Sequence, residues 1–239
     1  MKNLILVLFL LAFCSSAYSQ DKPKRKHYFP IWTYHQDNIT INGISLGLYT
    51  DFMKNSQTNT NGIKLELIGT GFIMSLMVAS PSFELSSSEI ISTKNDKYKK
   101  TDFSERINGI YLSGTGSFCN CLVNGISLGF LGQSNIQVNG FSASLMVNYA
   151  EVHNGMQSAF FTNDSFIMKG VQVAGIQNHL YIGKGLQLAF INNAVIEFKG
   201  IQIGVFNRSS NLRGIQIGLW NVNQKRKMPI INWNFEKEK

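Results

Sequence analysis

The sequence predicts an all-β chain built as a parallel β-solenoid of about 15-residue coils with capped ends, and three observations carry that prediction. Glycine recurs at 125, 140, 155, 170, 185 and 200, always 15 residues apart, and then at Gly214 after 14. Counted from each glycine, the same residue types return in the same columns. Position +1 is apolar from Ile126 to Ile215, +2 is Ser or Gln, +4 is always Gly, Ala or Ser, and +6 is apolar from Leu131 to Trp220. Within each unit, as in Lys199-Gly-Ile-Gln-Ile-Gly-Val-Phe-Asn207, apolar residues alternate with polar or small ones at the two-residue period of a strand before a turn follows.

Periodicity of this kind outranks other sequence signals, because a repeat dictates the whole architecture. An antiparallel meander sends equivalent residues to opposite ends of neighbouring strands. A parallel solenoid stacks them roughly 4.8 Å apart, so uniform columns favour like on like. The alternative is an antiparallel β-barrel with one spanning strand per unit. The regular strand of about seven residues falls short of the 9–11 that a membrane-spanning strand needs.

The elements follow in chain order. Residues 1–20 read as a signal peptide: Lys2 is the positive end, Leu4 to Phe13 the apolar core, and Ala17-Tyr18-Ser19 a small-x-small cleavage site. Lipidation at Cys14 is disfavoured by the bulky Phe13 before it. Residues 21–28 form a basic linker. Residues 29–108 read as diverged repeats, with unit starts at Gly43 and Gly62, an SLMV sequence at 75–78 that returns at 144–147, and a polar insertion at about 80–106. Residues 109–223 are the regular solenoid. Residues 224–239 leave the period and supply a C-terminal cap with a charged tail, because a solenoid must cover its last open edge.

The net charge of +8 is unevenly placed. Only eight residues between Gly125 and Asn221 are charged, and the remainder flank the repeats. No nucleic-acid-binding motif accompanies the basic stretches, and an exported chain does not meet nucleic acid, so that partner is excluded.

Candidate chemistry is sparse. Cys119 and Cys121 point to the same face of a strand, which favours paired buried thiols over a disulfide, and no nearby His suggests a metal. Repeat-borne acids are Glu151, Asp164 and Glu197, too few to converge as polysaccharide-cleaving sites require. Asp164 and His179 share a column and read as an exposed turn pair. No nucleophile elbow, phosphate loop or zinc motif occurs. The sequence therefore predicts no enzyme and no cofactor.

Two columns are candidate surfaces. The residue before each glycine is Asn124, Asn139 and Asn154, then Lys169, Lys184, Lys199 and Arg213. A solvated turn edge is the plain reading, and an acidic glycan or other polyanion the functional one. Gln157, Gln172, Gln187, Gln202 and Gln216 form a flat outward interaction strip if +1 and +3 point inward. The opposite orientation, with the small column inside a narrow coil, remains open.

The recurring G-h-Q-h-[GA]-h-h-N unit (h, apolar), clearest at residues 184–193, 199–208 and 213–222, resembles that of the secreted surface-repeat proteins of Gram-negative bacteria. That resemblance implies an envelope or surface location and no established enzymatic role. Ser127 and Ser142 depart from its Gln position, and Asn at +7 holds at Asn192, Asn207 and Asn221. The expectation is a non-enzymatic exported surface or periplasmic repeat protein, an interaction or structural module for a glycan, polyanion or protein partner or for self-association. It is expected to lie at the cell surface, against the outer membrane or in the periplasm, and to associate with a membrane, if at all, without spanning it. An outer-membrane barrel is the alternative, and a polysaccharide-acting β-helix enzyme the weaker one.

Overall fold

The computed structural model describes residues 25–33, 37–49, 57–73 and 103–236. The predicted signal peptide and most of the polar insertion lie outside them. The described residues form a parallel β-solenoid, not a barrel. The strands are β1 (Lys26–Tyr28), β2 (Ile31–Trp32), β3 (Ile39–Gly47), β4 (Thr58–Glu66), β5 (Glu105–Ser113), β6 (Phe118–Gly129), β7 (Gly132–Ser144), β8 (Val147–Ala159), β9 (Thr162–Ala174), β10 (Gln177–Leu188), β11 (Ile191–Ile203), β12 (Phe206–Ser209), β13 (Leu212–Val222) and β14 (Lys227–Asn234). Strands β1 and β2 both pair in parallel with β3, and from β3 each strand pairs with the next in parallel until β14, which turns back antiparallel on β13 and closes the end of the stack.

The stacking is like on like. Gly155 pairs with Gly140 and Gly170, Gln172 with Gln157 and Gln187, and Lys184 with Lys169 and Lys199. The column of glycines begins earlier, at Gly43, Gly62 and Gly109. Strand β1 draws part of the basic linker into the first coil, and β5 starts at Glu105, so the insertion ends slightly before its expected boundary.

Three corners fold each coil. One is the glycine, at φ of 132° in Gly155 and Gly185, a conformation that residues with a side chain rarely adopt. A Cβ there would also meet the carbonyl oxygen of the glycine one coil earlier, at 1.8 Å for Gly185. The second is a two-residue bend, as at Phe160–Phe161. The third lies where two consecutive residues, Ser165 and Phe166, both turn inward and the ladder passes over Phe166.

The interior has two unlike walls. Behind the glycine, +2 and +4 point inward: Gln157, Gln172, Gln187, Gln202 and Gln216 are fully buried, while Ala159, Ala174 and Ala189 fill the small column. Across the lumen sit Phe166, Met168, Leu180, Phe198 and Leu212, continued toward the first coils by Val138, Val123 and Ile107. The glutamines therefore do not form an outward strip. The small +4 side chains are the ones a narrow coil admits, and the branched residues at +1 and +3 are turned out.

The cysteines also depart from expectation. Cys119 and Cys121 form a disulfide. Between Cys119 and Leu122 the register shifts as the chain rounds a corner, so the two side chains converge inside instead of lying parallel along a strand.

Two substitutions test this packing. Gly185→Ala should destabilise by roughly 3 kcal/mol or more, combining positive-φ strain with backbone collision. Gly204→Leu, whose Cβ would fall 2.1 Å from the Ala189 carbonyl oxygen and 2.7 Å from Asn192 Nδ2, should cost at least as much. Urea unfolding midpoints check both, and an unchanged midpoint for Gly204→Leu contradicts the inward placement of +4.

Candidate functional site

A buried carboxamide needs both a donor and an acceptor partner, and an in-register stack supplies both from its own kind. Gln172 Nε2 donates to Gln157 Oε1 at 2.9 Å, Gln187 to Gln172 at 2.9 Å, Gln202 to Gln187 at 2.6 Å and Gln216 to Gln202 at 2.7 Å. A second ladder runs Asn163 to Asn178, Asn192, Asn207 and Asn221, with bonds of 2.8–3.0 Å. The same asparagines also donate to backbone carbonyls across the coil, as Asn192 does to Ile203 O at 2.8 Å. Asn163 and Asn178 stand at +8 in sequence yet share the column of Asn192 at +7. Asn178 pairs with Asn192, 14 residues on, and the ladder returns to the 15-residue offset after Leu180. The glutamines and asparagines are thus structural residues.

With polar amides inside, the apolar alternates face outward. Columns +1, +3 and +5 form one strip along the glycine side of the coil, continuous from Ile31 at the first coil to Ile231 and Trp233 on the capping strand. Column +1 is apolar in every described coil, column +3 is interrupted by Ser158 alone, and column +5 is apolar or Gly throughout; no acid or base stands in any of the three. Exposure is substantial: Phe130 66%, Phe160 64%, Phe190 51% and Leu219 71%. At about 4.8 Å per strand and 3.3 Å per residue, the strip measures roughly 50 Å by 13 Å. Its area of roughly 650 Å² exceeds the largest apolar patch of an ordinary monomer, a mark of an interaction face. Two shallow grooves lie on it, one along Leu65, Leu112 and Leu128, the other along Leu188, Ile203 and Ile217. Reading the glutamines as the outer surface hid this face.

The column before the glycine borders the strip. Its first part is a ladder of half-exposed and exposed asparagines from Asn42 to Asn154, bonded at 2.7–2.8 Å. From Lys169 the ladder gives way to cations, and pairing places Lys169, Lys184, Lys199 and Arg213 in successive coils of one column, as their spacing predicts. Lys199 Nζ lies 2.9 Å from Glu197 in its own coil.

Three titratable groupings sit elsewhere. In the coil of β4, Lys64 replaces the +2 amide and Glu66 the small +4 residue, and both are buried. Lys64 Nζ meets Glu66 Oε1 at 3.0 Å and also bonds Glu105, while Tyr111 and Ser113 donate to Glu66 Oε2 at 2.8 and 3.1 Å. Burial depresses the lysine's pKa, but the two carboxylates outweigh it and leave the net shift upward. On another face, His179 Nδ1 lies 3.1 Å from Asp164 Oδ1, so the two meet as their shared column predicts. His179 is largely buried there, and although desolvation opposes its charged form, the Asp164 bond and charge raise its pKa. His153 is fully enclosed beside Ser142 Oγ at 2.8 Å, and burial lowers its pKa to about 4.

Comparison with protein-family models, curated proteins and solved structures finds no match for this chain.

The interior makes two measurable claims. Gln187→Leu removes the Gln187 donor from Gln172 Oε1 and leaves Gln202 Nε2 with the Arg208 carbonyl alone, and should cost about 2–4 kcal/mol in urea unfolding. His153 should make stability fall with acid. The unfolded imidazole takes up its proton near pH 6.5, the folded one only near 4, so stability present above pH 6.5 is lost as pH falls toward 4, by about 3 kcal/mol. His153→Met, which matches Met168 in the same column, should remove that part of the slope between pH 7 and 4.5. A wild-type slope in the variant contradicts the assignment.

Proposed function

We propose that this chain is a non-enzymatic, exported repeat protein whose solenoid is a rigid docking module of the cell envelope. The observation that supports it is the outward apolar strip, roughly 50 Å long and free of charge, on a scaffold whose own interior is closed by amide ladders. Keeping apolar side chains wet is unfavourable, at about 25 cal/mol per Å². Placing such residues at +1 in every described coil, with amides buried instead, makes sense when a second surface covers them. The signal-like first 20 residues support export, which brings the strip into the envelope.

Three exposed residues spread along the strip provide the test: Leu128→Thr, Leu188→Thr and Ile217→Thr together. Threonine keeps strand preference while removing the apolar surface, so the unfolding midpoint should stay within about 1 kcal/mol of the parent. In fractionated cells producing the full chain, the parent should be exported and held in the envelope fraction. The triple variant should be exported and released into the soluble fraction. A cytoplasmic parent, or a variant that fractionates as the parent does, contradicts this reading.

A further inference from the structure

We infer that the surface covering the apolar strip is a lipid bilayer carrying anionic headgroups, against which the solenoid lies flat without crossing. The inference rests on the docking reading above and names its partner. Two features favour lipid. The strip is built of uniform columns, and the two grooves on it are too shallow to anchor particular side chains of a protein partner. Its long edge carries Lys169, Lys184, Lys199 and Arg213 one residue before each glycine, while the +1 apolar side chain stands one residue after it. The cation column borders the strip across the glycine corner, so its long side chains reach the edge of a surface that covers the strip.

Charge complementarity then chooses among apolar surfaces. No acid stands on the strip, and Glu197 neutralises Lys199 only in part, leaving that edge of the later coils positive. Anionic headgroups at the depth of an interfacial sheet satisfy these cations, while the aliphatic columns reach the acyl boundary. At the cap, Trp233 sits 4.4 Å beneath the Arg226 guanidinium, and Trp220 is 45% exposed at the strip's far edge. Exposed indole rings, one of them beside a cation, suit the headgroup layer, where one end of the ring is wet and the other apolar. A second copy of the chain would cover the strip equally but gives the bordering cations no anion, since the strip of that copy carries none.

The test uses the full chain and vesicles of phosphatidylcholine with or without 30 mol% phosphatidylglycerol, read by co-sedimentation at low and high salt. Two variants share the parent's N-terminus, so differences report the solenoid alone. One is the triple threonine variant, and the other replaces Lys169, Lys184, Lys199 and Arg213 by Gln. The parent should bind anionic vesicles more tightly than neutral ones and release with salt. The glutamine variant should lose about thirtyfold or more on anionic vesicles at low salt and little on neutral ones. The threonine variant should lose binding to both. Equal binding by parent and both variants overturns the inference. So does a parent that ignores vesicles but forms a concentration-dependent dimer that the threonine variant abolishes in sedimentation velocity; the docking reading then stands with a second copy as partner. Salt-sensitive binding of polyphosphate without vesicle binding also overturns it, and identifies the basic edge as a polyanion site. A parent with neither vesicle binding nor self-association, unaffected by threonine, removes the docking reading with it.

Discussion

The later coils, from β8 onward, depend on the carboxamide that bonds to a copy of itself. A glutamine or asparagine side chain has a donor at one corner and an acceptor at the other, and a parallel in-register stack brings the next such group within reach at the strand repeat. The Gln157–Gln216 and Asn163–Asn221 ladders meet that requirement in successive coils. A shift by one residue would turn every amide outward and bring branched apolar residues into a lumen sized for alanine and glycine. Leaving the amides buried and unpaired would be expensive. The ladders thereby fix register, and register fixes the glycine corner, where only a residue without Cβ fits beneath its predecessor.

The outer surface follows from the inner one. Once +2 and +4 face inward, the two-residue period of the strand directs +1 and +3 outward, and those positions are Ile, Leu, Val, Met and Phe through most of the chain. Apolar burial is supplied instead by the opposite wall, where Phe166, Met168, Phe198 and Leu212 enclose the lumen. The coil is thus apolar inside on one wall and apolar outside on the other. That asymmetry sets this face apart from a solvated sheet face and supports its reading as a docking surface.

Much of the architecture was legible in the sequence, because stacking identical residues leaves identical columns. The glycine spacing gave the coil length, and the Lys169–Arg213 alignment and the Asp164–His179 meeting both follow from counting. Orientation was not legible. Alternation with period two separates two faces without saying which is inside, and the usual preference for burying apolar residues points the wrong way here. The Asn column was half hidden because Asn163 and Asn178 stand one place later in their units than Asn192, an offset that the later corner absorbs. The cluster of Lys64, Glu66 and Glu105 left no motif to read, since Lys64 meets Glu105 across 41 residues and Glu105 fell within the expected polar insertion. The disulfide depended on a corner that a straight-strand picture of Cys119 and Cys121 omits.

The central claim, that whole coils stack like on like, is tested most directly by excising one. Removing residues 170–184 joins Lys169 to Gly185 and brings Gln157 against Gln187, reproducing every column with one coil fewer. A solenoid tolerates this, because each coil contacts only its neighbours and stability is close to a sum over repeats. Far-ultraviolet circular dichroism with thermal melting of the shortened chain should show the same strand signature and a cooperative transition slightly below the parent's. Excising residues 170–177, about half a coil, should abolish that transition. An unfolded chain after the 15-residue excision, or equal tolerance of both, would contradict the stacked-coil account.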